Sequence, residues 1–251
     1  METKKTVFIM GIAGSLGRAW TRRLRKDYHV MGCDNSEWAV AEFEGMFPDV
    51  PIKLMDYSEW RFNQDPCDYL IVLSAYKHLP LGEKNVWAFI ENNLVKLKKV
   101  FDEAYKYNVD TLFQSTDKAC EPISTYGFTK ALGEDLAEAY DFSVSRLGNI
   151  LSSTGSVIPL WEKQIKEGLP ITITDERMVR YVIEDFEAVD QIWDMFGAGK
   201  KLIIPQCREV RLMDLLTEVL KKKDLTIDDI TVEVIGLRKG EKLREVLEWT
   251  S

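Results

Sequence analysis

Thr6-Val7-Phe8-Ile9-Met10-Gly11-Ile12-Ala13-Gly14-Ser15-Leu16-Gly17 is an apolar run that breaks straight into a turn with glycine at every third position. Its first five residues have the β-branched, uninterrupted look of a strand buried on both faces. Residues 18–25 then read as a helix. Glycines let the backbone turn tightly and approach a pyrophosphate, whose charge faces the helix N-terminus. At the first strand of an alternating β/α chain, this context favours dinucleotide binding over a plain turn.

The same logic extends outward. The next strand, residues 29–33, ends at Asp34, about 20 residues past the glycine turn. An acid there accepts hydrogen bonds from a ribose 2′-hydroxyl and repels a 2′-phosphate; a polar loop start, Asp34-Asn35-Ser36, is the plainer alternative. Residues 52–55 read as a third strand, with Asp56 beyond its end in reach of an adenine. Residues 69–73 are a fourth, leading into Ser74-Ala75-Tyr76-Lys77-His78-Leu79-Pro80. His78 fits a capping or surface histidine better than a catalytic one. A helix over about 85–107 carries Val86, Phe89, Ile90, Leu94, Leu97, Val100 and Phe101 on one face. Asn92 and Asn93 interrupt that face where a cofactor edge could pass.

A fifth strand ends at Thr116 and a sixth, over 142–147, leads to Gly148-Asn149. This alternation over 6–150 predicts an α/β fold, a Rossmann-like doubly wound parallel sheet. Beyond it we expect a helix opened by Gly155-Ser156-Val157 and running to about 166, β-rich pieces at 171–174 and 177–181, and a helix over 187–196. A strand at 202–204, a helix at 212–221, a strand at 231–235 and a last helix starting at 238–242 follow. The expected division is a dinucleotide-binding domain over 1–150, rejoined by 182–206, and a small C-terminal substrate-binding cap from 151–181 and 207–251.

Ser115-Thr-Asp-Lys-Ala-Cys-Glu-Pro-Ile-Ser-Thr-Tyr-Gly-Phe-Thr-Lys130 carries the chemistry. Pro122, Ser124 and Thr125 are helix-start signals, so Tyr126 and Lys130 share one helical face a turn apart. A neighbouring ammonium favours a phenolate, which makes Tyr126 a candidate base toward a substrate hydroxyl. Thr116, Asp117 and Lys118 stand opposite at the strand end. Alone, Tyr-x-x-x-Lys is a weak signal. Here the glycine turn, Asp34, residues 74–77, 116–118 and Asn149 all fall at strand carboxyl ends, where such sheets bind ligands.

Composition narrows the classes. With 45% hydrophobic residues in 251, the chain can fill a sizeable core. A net charge of -8 argues against a nucleic-acid surface. The four cysteines form no CxxC pair, which argues against zinc and disulfides and suits a reducing cytoplasm. The polar start, Met1 to Lys5, reads as no signal peptide, and no apolar segment nears the ~20 residues that span a bilayer.

Together these motifs resemble the extended short-chain dehydrogenase/reductases, and more closely the inverting UDP-N-acetylglucosamine 4,6-dehydratases of the polysaccharide-biosynthesis group. The resemblance rests on Met10-Gly-Ile-Ala-Gly-Ser-Leu-Gly17, Ala75-Tyr-Lys-His-Leu-Pro80, Ser115-Thr-Asp-Lys-Ala119, Tyr126-Gly-Phe-Thr-Lys130, Arg146-Leu-Gly-Asn149, Gly155-Ser-Val-Ile-Pro159, Pro170-Ile-Thr-Ile-Thr174 and Arg238-Lys-Gly-Glu-Lys242. It covers nearly the whole chain, and Ser-Thr-Asp-Lys is its most discriminating element. It implies Thr116, Asp117, Lys118, Tyr126 and Lys130 as catalytic residues. Tyr126, with Lys130 and Thr116, would take the C4 hydroxyl proton, Lys118 the C5 proton, and Asp117 would protonate the departing C6 hydroxyl. It further implies cofactor contacts from Gly11, Ala13, Gly14, Ser15, Leu16, Gly17, Asp34, Asn35, Asp56, Ser74, Ala75, Lys77, Asn92, Tyr126 and Lys130. Substrate contacts would come from Lys77, Asn149, Ser156, Val157, Arg180, Arg238 and Glu241.

The partner expected is a UDP-sugar in a cytoplasmic homo-oligomer, with no metal. The family's second strand typically ends in Ser-Arg-Asp, whose arginine suits NADP; Asp34-Asn35 here favours NAD, with NADP the alternative. The chain is also shorter than the family's usual length. Competing readings are a sugar-nucleotide 4-epimerase or reductase, in which Asp117 and Lys118 have no task, and a non-catalytic dinucleotide-binding protein, which needs no Thr116, Tyr126 and Lys130.

Overall fold

The computed structural model describes residues 4–151, 153 and 156–248; Gly155 of the quoted motif lies outside them. β1 (Thr6–Met10), α1 (Ser15–Leu24), β2 (His29–Asp34), α2 (Glu37–Met46), β3 (Ile52–Leu54) and β4 (Tyr69–Val72) open the chain. α3 (Leu79–Lys84), α4 (Val86–Ile90), a π-helical turn at Glu91–Val95 and α5 (Lys96–Lys106) follow. Next come β5 (Asp110–Thr116), α6 (Thr125–Ala139), β6 (Ser143–Leu147), β7 (Asn149–Ile150), α7 (Val157–Glu167), β8 (Ile171–Ile173) and β9 (Val179–Ile183). α8 (Asp185–Gly197), β10 (Leu202–Ile203), β11 (Arg208–Arg211), α9 (Leu212–Lys221) and β12 (Val232–Val234) end it.

Seven strands form one sheet in the order β10-β6-β5-β4-β1-β2-β3, and every adjacent pair is parallel. The fold is a Rossmann-like doubly wound sheet. Its strand order reverses between β1 and β4, so the ligand crevice of such a sheet opens at the carboxyl ends of those two strands.

The uninterrupted apolar β1 is explained by its two faces. Val7 and Ile9 pack with Trp20, Leu24, Phe43, Ile192 and Trp193 on one side. Phe8 and Met10 pack with Trp60, Leu97, Phe101 and Phe113 on the other. Full burial of such side chains is worth roughly 1.5–3 kcal/mol each. Core packing on both faces therefore fixes where each strand ends, and with it where the strand-end side chains stand. α8 belongs to this body: Trp193 meets Trp20 of α1 edge-on at 5.8 Å, and β10 pairs with β6.

A separate apolar cluster joins Trp161, Ile171, Ile173, Met178, Val182, Val210, Leu212, Leu216 and Val219. β11 and β7 flank β9 in a three-stranded sheet, and β12 pairs with β8 in a second small one.

The structure departs from the sequence reading in three places. Residues between Asp34 and Ile52 include α2, whose start is capped by the Ser36 side chain accepting from Ala39 N. The helix expected over 85–107 is preceded by α3 and broken by the π-helical turn at the asparagine pair. The final helix expected from 238–242 does not form. Glu241 N donates to Arg238 O at 3.0 Å, closing a turn. Leu243 O then accepts from Val179 N at 2.8 Å, and Arg180 takes the carbonyls of Lys242 and Leu243. Carbonyls a helix would use are committed to β9.

Candidate active site

The glycine turn connects β1 to α1 at the crevice. A Cβ on Gly17 would lie 2.4 Å from the Ile12 carbonyl oxygen, so helix and turn approach at a distance only glycine allows. Gly14, the N-cap of α1, offers no side chain to cap it, and the helix N-terminus, the end that favours an anion, faces the crevice. Ala13 and Leu16 pack into the core beneath. Across the crevice, Ser74 follows β4; a Cβ on Gly11 would meet its N and Oγ at 3.1 Å. This cradle fits a dinucleotide pyrophosphate.

Asp34 ends β2 and its Oδ1 accepts from Ser36 N at 3.1 Å, with Asn35 exposed beside it. Arg18 Nε donates to Ala13 O at 2.8 Å and its guanidinium pairs with Glu42 at 2.7 Å. Asp56 caps the turn after β3, accepting from Ser58 N at 3.0 Å and pairing with Lys96. Against the desolvation that would raise it, bonds from Lys96 and Ser58 hold its carboxyl below the usual range.

Loop 74–78 is held by Asn93. Its Oδ1 accepts from Tyr76 N and its Nδ2 donates to Tyr76 O, both at 2.8 Å. Nδ2 also reaches Thr129 Oγ1 on α6 at 3.2 Å. The Asn92 side-chain amide donates to Asn93 Oδ1 at 3.0 Å, while the Asn92 backbone carbonyl accepts from the Tyr57 hydroxyl. The π turn thus brings both asparagines inside, and Asn93 ties the loop to α6. Half-buried Ala75 and exposed Lys77 lie on that loop.

Thr116, Asp117 and Lys118 form the turn at the end of β5. Asp117 is fully buried. Its Oδ1 accepts from Thr116 Oγ1 at 2.9 Å and from Lys118 Nζ at 3.0 Å. Its Oδ2 has no hydrogen-bond partner among the described residues. Lys118 Nζ also lies 3.4 Å from Asn149 Oδ1, at the start of β7.

The Ser124 side chain caps α6 by accepting from Gly127 N at 3.1 Å. Tyr126 stands in its first turn. Desolvation raises the phenol pKa, nearby Asp117 raises it further, and the hydrogen bond with Thr116 acts in the opposite direction. Lys130 is buried and points into the sheet. Its Nζ donates to Gln114 O at 2.6 Å and lies 4.4 Å from the centre of the Phe113 ring. Burial pushes its pKa down to about 7, with Glu134 opposing. In the protein alone both groups are therefore driven toward neutrality, and the phenol's acidifying contact is Thr116.

The C-terminal segment reaches the same turn, which the sequence reading missed. Glu83 accepts from Thr125 N at 2.8 Å and pairs with Lys239 at 3.0 Å. Lys242 Nζ donates to Cys120 O at 2.7 Å. Glu245, 1% exposed, places Oε1 3.7 Å from Lys118 Nζ and Oε2 3.3 Å from Lys242 Nζ, an ion pair without hydrogen-bond alignment. Arg146 ends the strap by donating to Leu247 O at 2.8 Å while gripping Glu134 with two nitrogens. A lone acid in a polar tail carries no sequence signal of its own.

Burial lowers the Arg180 pKa, opposed by the negative charge of Glu245, Asp117 and Glu241 in that order. Arg238 and Glu241 are engaged with each other, Arg238 N donating to Glu241 Oε2 at 3.0 Å. Ser156 turns its hydroxyl to Leu151 O at 3.0 Å at the start of α7, with Val157 next in line.

Comparison with known proteins places this architecture. The sequence profile of the family described as "Polysaccharide biosynthesis protein" matches residues 7–250. A Methanocaldococcus jannaschii protein named "Uncharacterized membrane protein MJ1061" is 31% identical over 97% of this chain and 80% of its own. The inverting UDP-N-acetylglucosamine 4,6-dehydratase of Campylobacter jejuni is 29% identical over 98% of this chain and 78% of its own. Relatives of comparable identity include proteins named UDP-glucose 4-epimerase from Rickettsia. The X-ray structure of Pen from Bacillus thuringiensis superimposes with a TM-score of 0.90 at 27% identity, covering 97% of this chain and 82% of that one. Among the described residues, no helix is long and apolar enough to cross a membrane.

Proposed function

The chain belongs to the polysaccharide biosynthesis protein family, and on that premise we propose that it is a UDP-sugar 4,6-dehydratase. The substrate is UDP-N-acetylglucosamine or a close UDP-hexosamine, and the product a 4-keto-6-deoxy sugar inverted at C5. The observation that carries this reading is the buried Asp117 with its unpartnered Oδ2, set against Lys118 at the end of β5. Removing water needs an acid for the leaving hydroxyl and a base for the carbon proton, side by side.

The cradle at α1 and Asp34 hold a nicotinamide dinucleotide, NAD in preference to NADP, which when bound supplies redox chemistry at C4 and C6. Tyr126 removes the C4 hydroxyl proton, aided by its hydrogen bond with Thr116. Lys130, neutral for a large fraction of the time near pH 7, is poised to change charge beside it. The C4 ketone acidifies C5; Lys118 takes that proton and the electron pair moves into the C4–C5 enolate. The C6–O bond then breaks as Asp117 passes a proton to the hydroxyl, which leaves as water; reduction of the resulting C5–C6 double bond at C6 and a proton added to the opposite face of C5 complete the product. Arg180 and the Arg238–Glu241 turn supply the polar surface for the nucleotide.

A 4-epimerase would use Thr116, Tyr126 and Lys130 alone, and the relatives named as epimerases keep that reading in view. Purified protein incubated with UDP-N-acetylglucosamine separates the two: a product lighter by one water supports the dehydratase, and an isomer of unchanged mass the epimerase.

A further inference from the structure

The elimination leaves a charge to be accounted for. When Lys118 takes the C5 proton it becomes an ammonium, while Asp117 still holds the proton it will give to the leaving hydroxyl. Asp117 is then neutral and offers that ammonium no counter-charge. Among the described residues, the other carboxylate paired with Lys118 is Glu245, at 3.7 Å. It is delivered from the C-terminal strap and is as buried as any core side chain. An ionised buried carboxylate needs a partner besides Lys118, and Lys242 at 3.3 Å supplies it.

We propose that Glu245 is a positioning residue for the elimination: its carboxylate orients Lys118 and compensates the ammonium formed when Lys118 receives the C5 proton. This rests on the dehydratase reading above. Glu245 touches no reacting atom in this scheme and acts through Lys118, as the third member of a base-orienting set acts on the base. Strap docking and proton removal become coupled, since the carboxylate is in place only while residues 238–247 lie across the catalytic turn. Lys242 on Cys120 O and Lys239 on Glu83 keep it there.

The test separates C4 oxidation from C5 proton transfer in the full chain with its cofactor, using UDP-N-acetylglucosamine in deuterated water. Acid quench followed by trapping of the ketone reads the first step, and mass spectrometry of deuterium at C5 reads the second. For Glu245→Gln we expect C4 ketone at the wild-type rate, with C5 exchange slowed roughly 10- to 100-fold, the scale for removing a group that orients a working one. Glu245→Asp should recover part of the loss. Lys239→Ala loosens the strap that carries Glu245 without touching Lys118, and should slow C5 exchange more than ketone formation, by less than Glu245→Gln does. Wild-type C5 exchange in Glu245→Gln, or equal slowing of both steps, would each overturn the role of Glu245 while leaving the dehydratase intact. A wild-type protein that forms only the 4-epimer would overturn both.

Discussion

Lys130 lies one helical turn from Tyr126, yet its ammonium is spent on the carbonyl oxygen of Gln114, 2.6 Å away inside the sheet. Burial lowers its pKa from 10.5 to about 7. Between these values the unfolded chain holds more protons on this residue than the folded protein does, so its contribution to stability rises with pH across that window. Below about pH 7 the folded protein bears the full cost of the buried charge. Cofactor-free Lys130→Met should therefore resist urea better than wild type near neutral pH, and the difference should shrink as pH rises toward 10.5. A difference that grows with pH would contradict the placement of this side chain.

Tyr126→Phe should abolish C4 oxidation and leave UDP-sugar binding within a fewfold, because in the proposed reaction the phenol acts as a base and only a minor contact. A general base contributes roughly 10²- to 10⁴-fold. Calorimetric binding alongside single-turnover ketone formation reads both quantities. A variant that turns over at the wild-type rate would remove Tyr126 from the chemistry.

Cofactor choice should favour NAD. Asp34 at the end of β2 disfavours a 2′-phosphate, and the nearby Arg18 is occupied by Ala13 O and Glu42. The electrostatic difference is on the order of 1–3 kcal/mol. Titrating the cofactor-free protein with each dinucleotide measures it, and tighter binding of NADP would reverse the assignment.

Gly127→Ala tests the seat of α6. Alanine in a helix is normally better than glycine by about 1 kcal/mol. Here the added Cβ would lie 2.4 Å from the Lys118 carbonyl oxygen, and overpacking of that kind costs about 1–3 kcal/mol. The clash should win, lowering Tm by several degrees and slowing C5 exchange as the Lys118 turn is displaced. An unchanged or raised Tm would show that the turn yields freely.

Much of the sheet was legible because its strands carry apolar residues up to a polar or glycine-rich turn. β1 and β4 are continuous hydrophobic runs, which have few other homes, while β2, β5 and β6 mix polar residues with apolar ones and read as strands from the turns that end them. Thr116, Asp117, Lys118, Tyr126 and Lys130 were legible because one strand end and one helix start carry them within a single stretch. Side-chain direction was not. Helical spacing put Lys130 beside Tyr126, but nothing in the spacing says that the ammonium would turn to Gln114 O. The C-terminal segment was misread for a related reason. Residues 238–247 have helix-forming composition, and only the long-range pairing of Leu243 with Val179, and of Arg180 with two carbonyls, makes them a strap. Such contacts leave no local trace, so Glu245 was invisible until the fold brought it to Lys118.

The central claim is that Asp117 and Lys118 remove water, and deuterium at C5 tests it most directly. Wild-type protein given UDP-N-acetylglucosamine in deuterated water should release a product lacking one water and carrying solvent deuterium at C5. Lys118→Met should form the C4 ketone yet lose at least about 10²-fold in C5 exchange, and Asp117→Asn should exchange C5 but release water slowly. A wild-type product that is the 4-epimer, with no deuterium at C5, would contradict the claim outright.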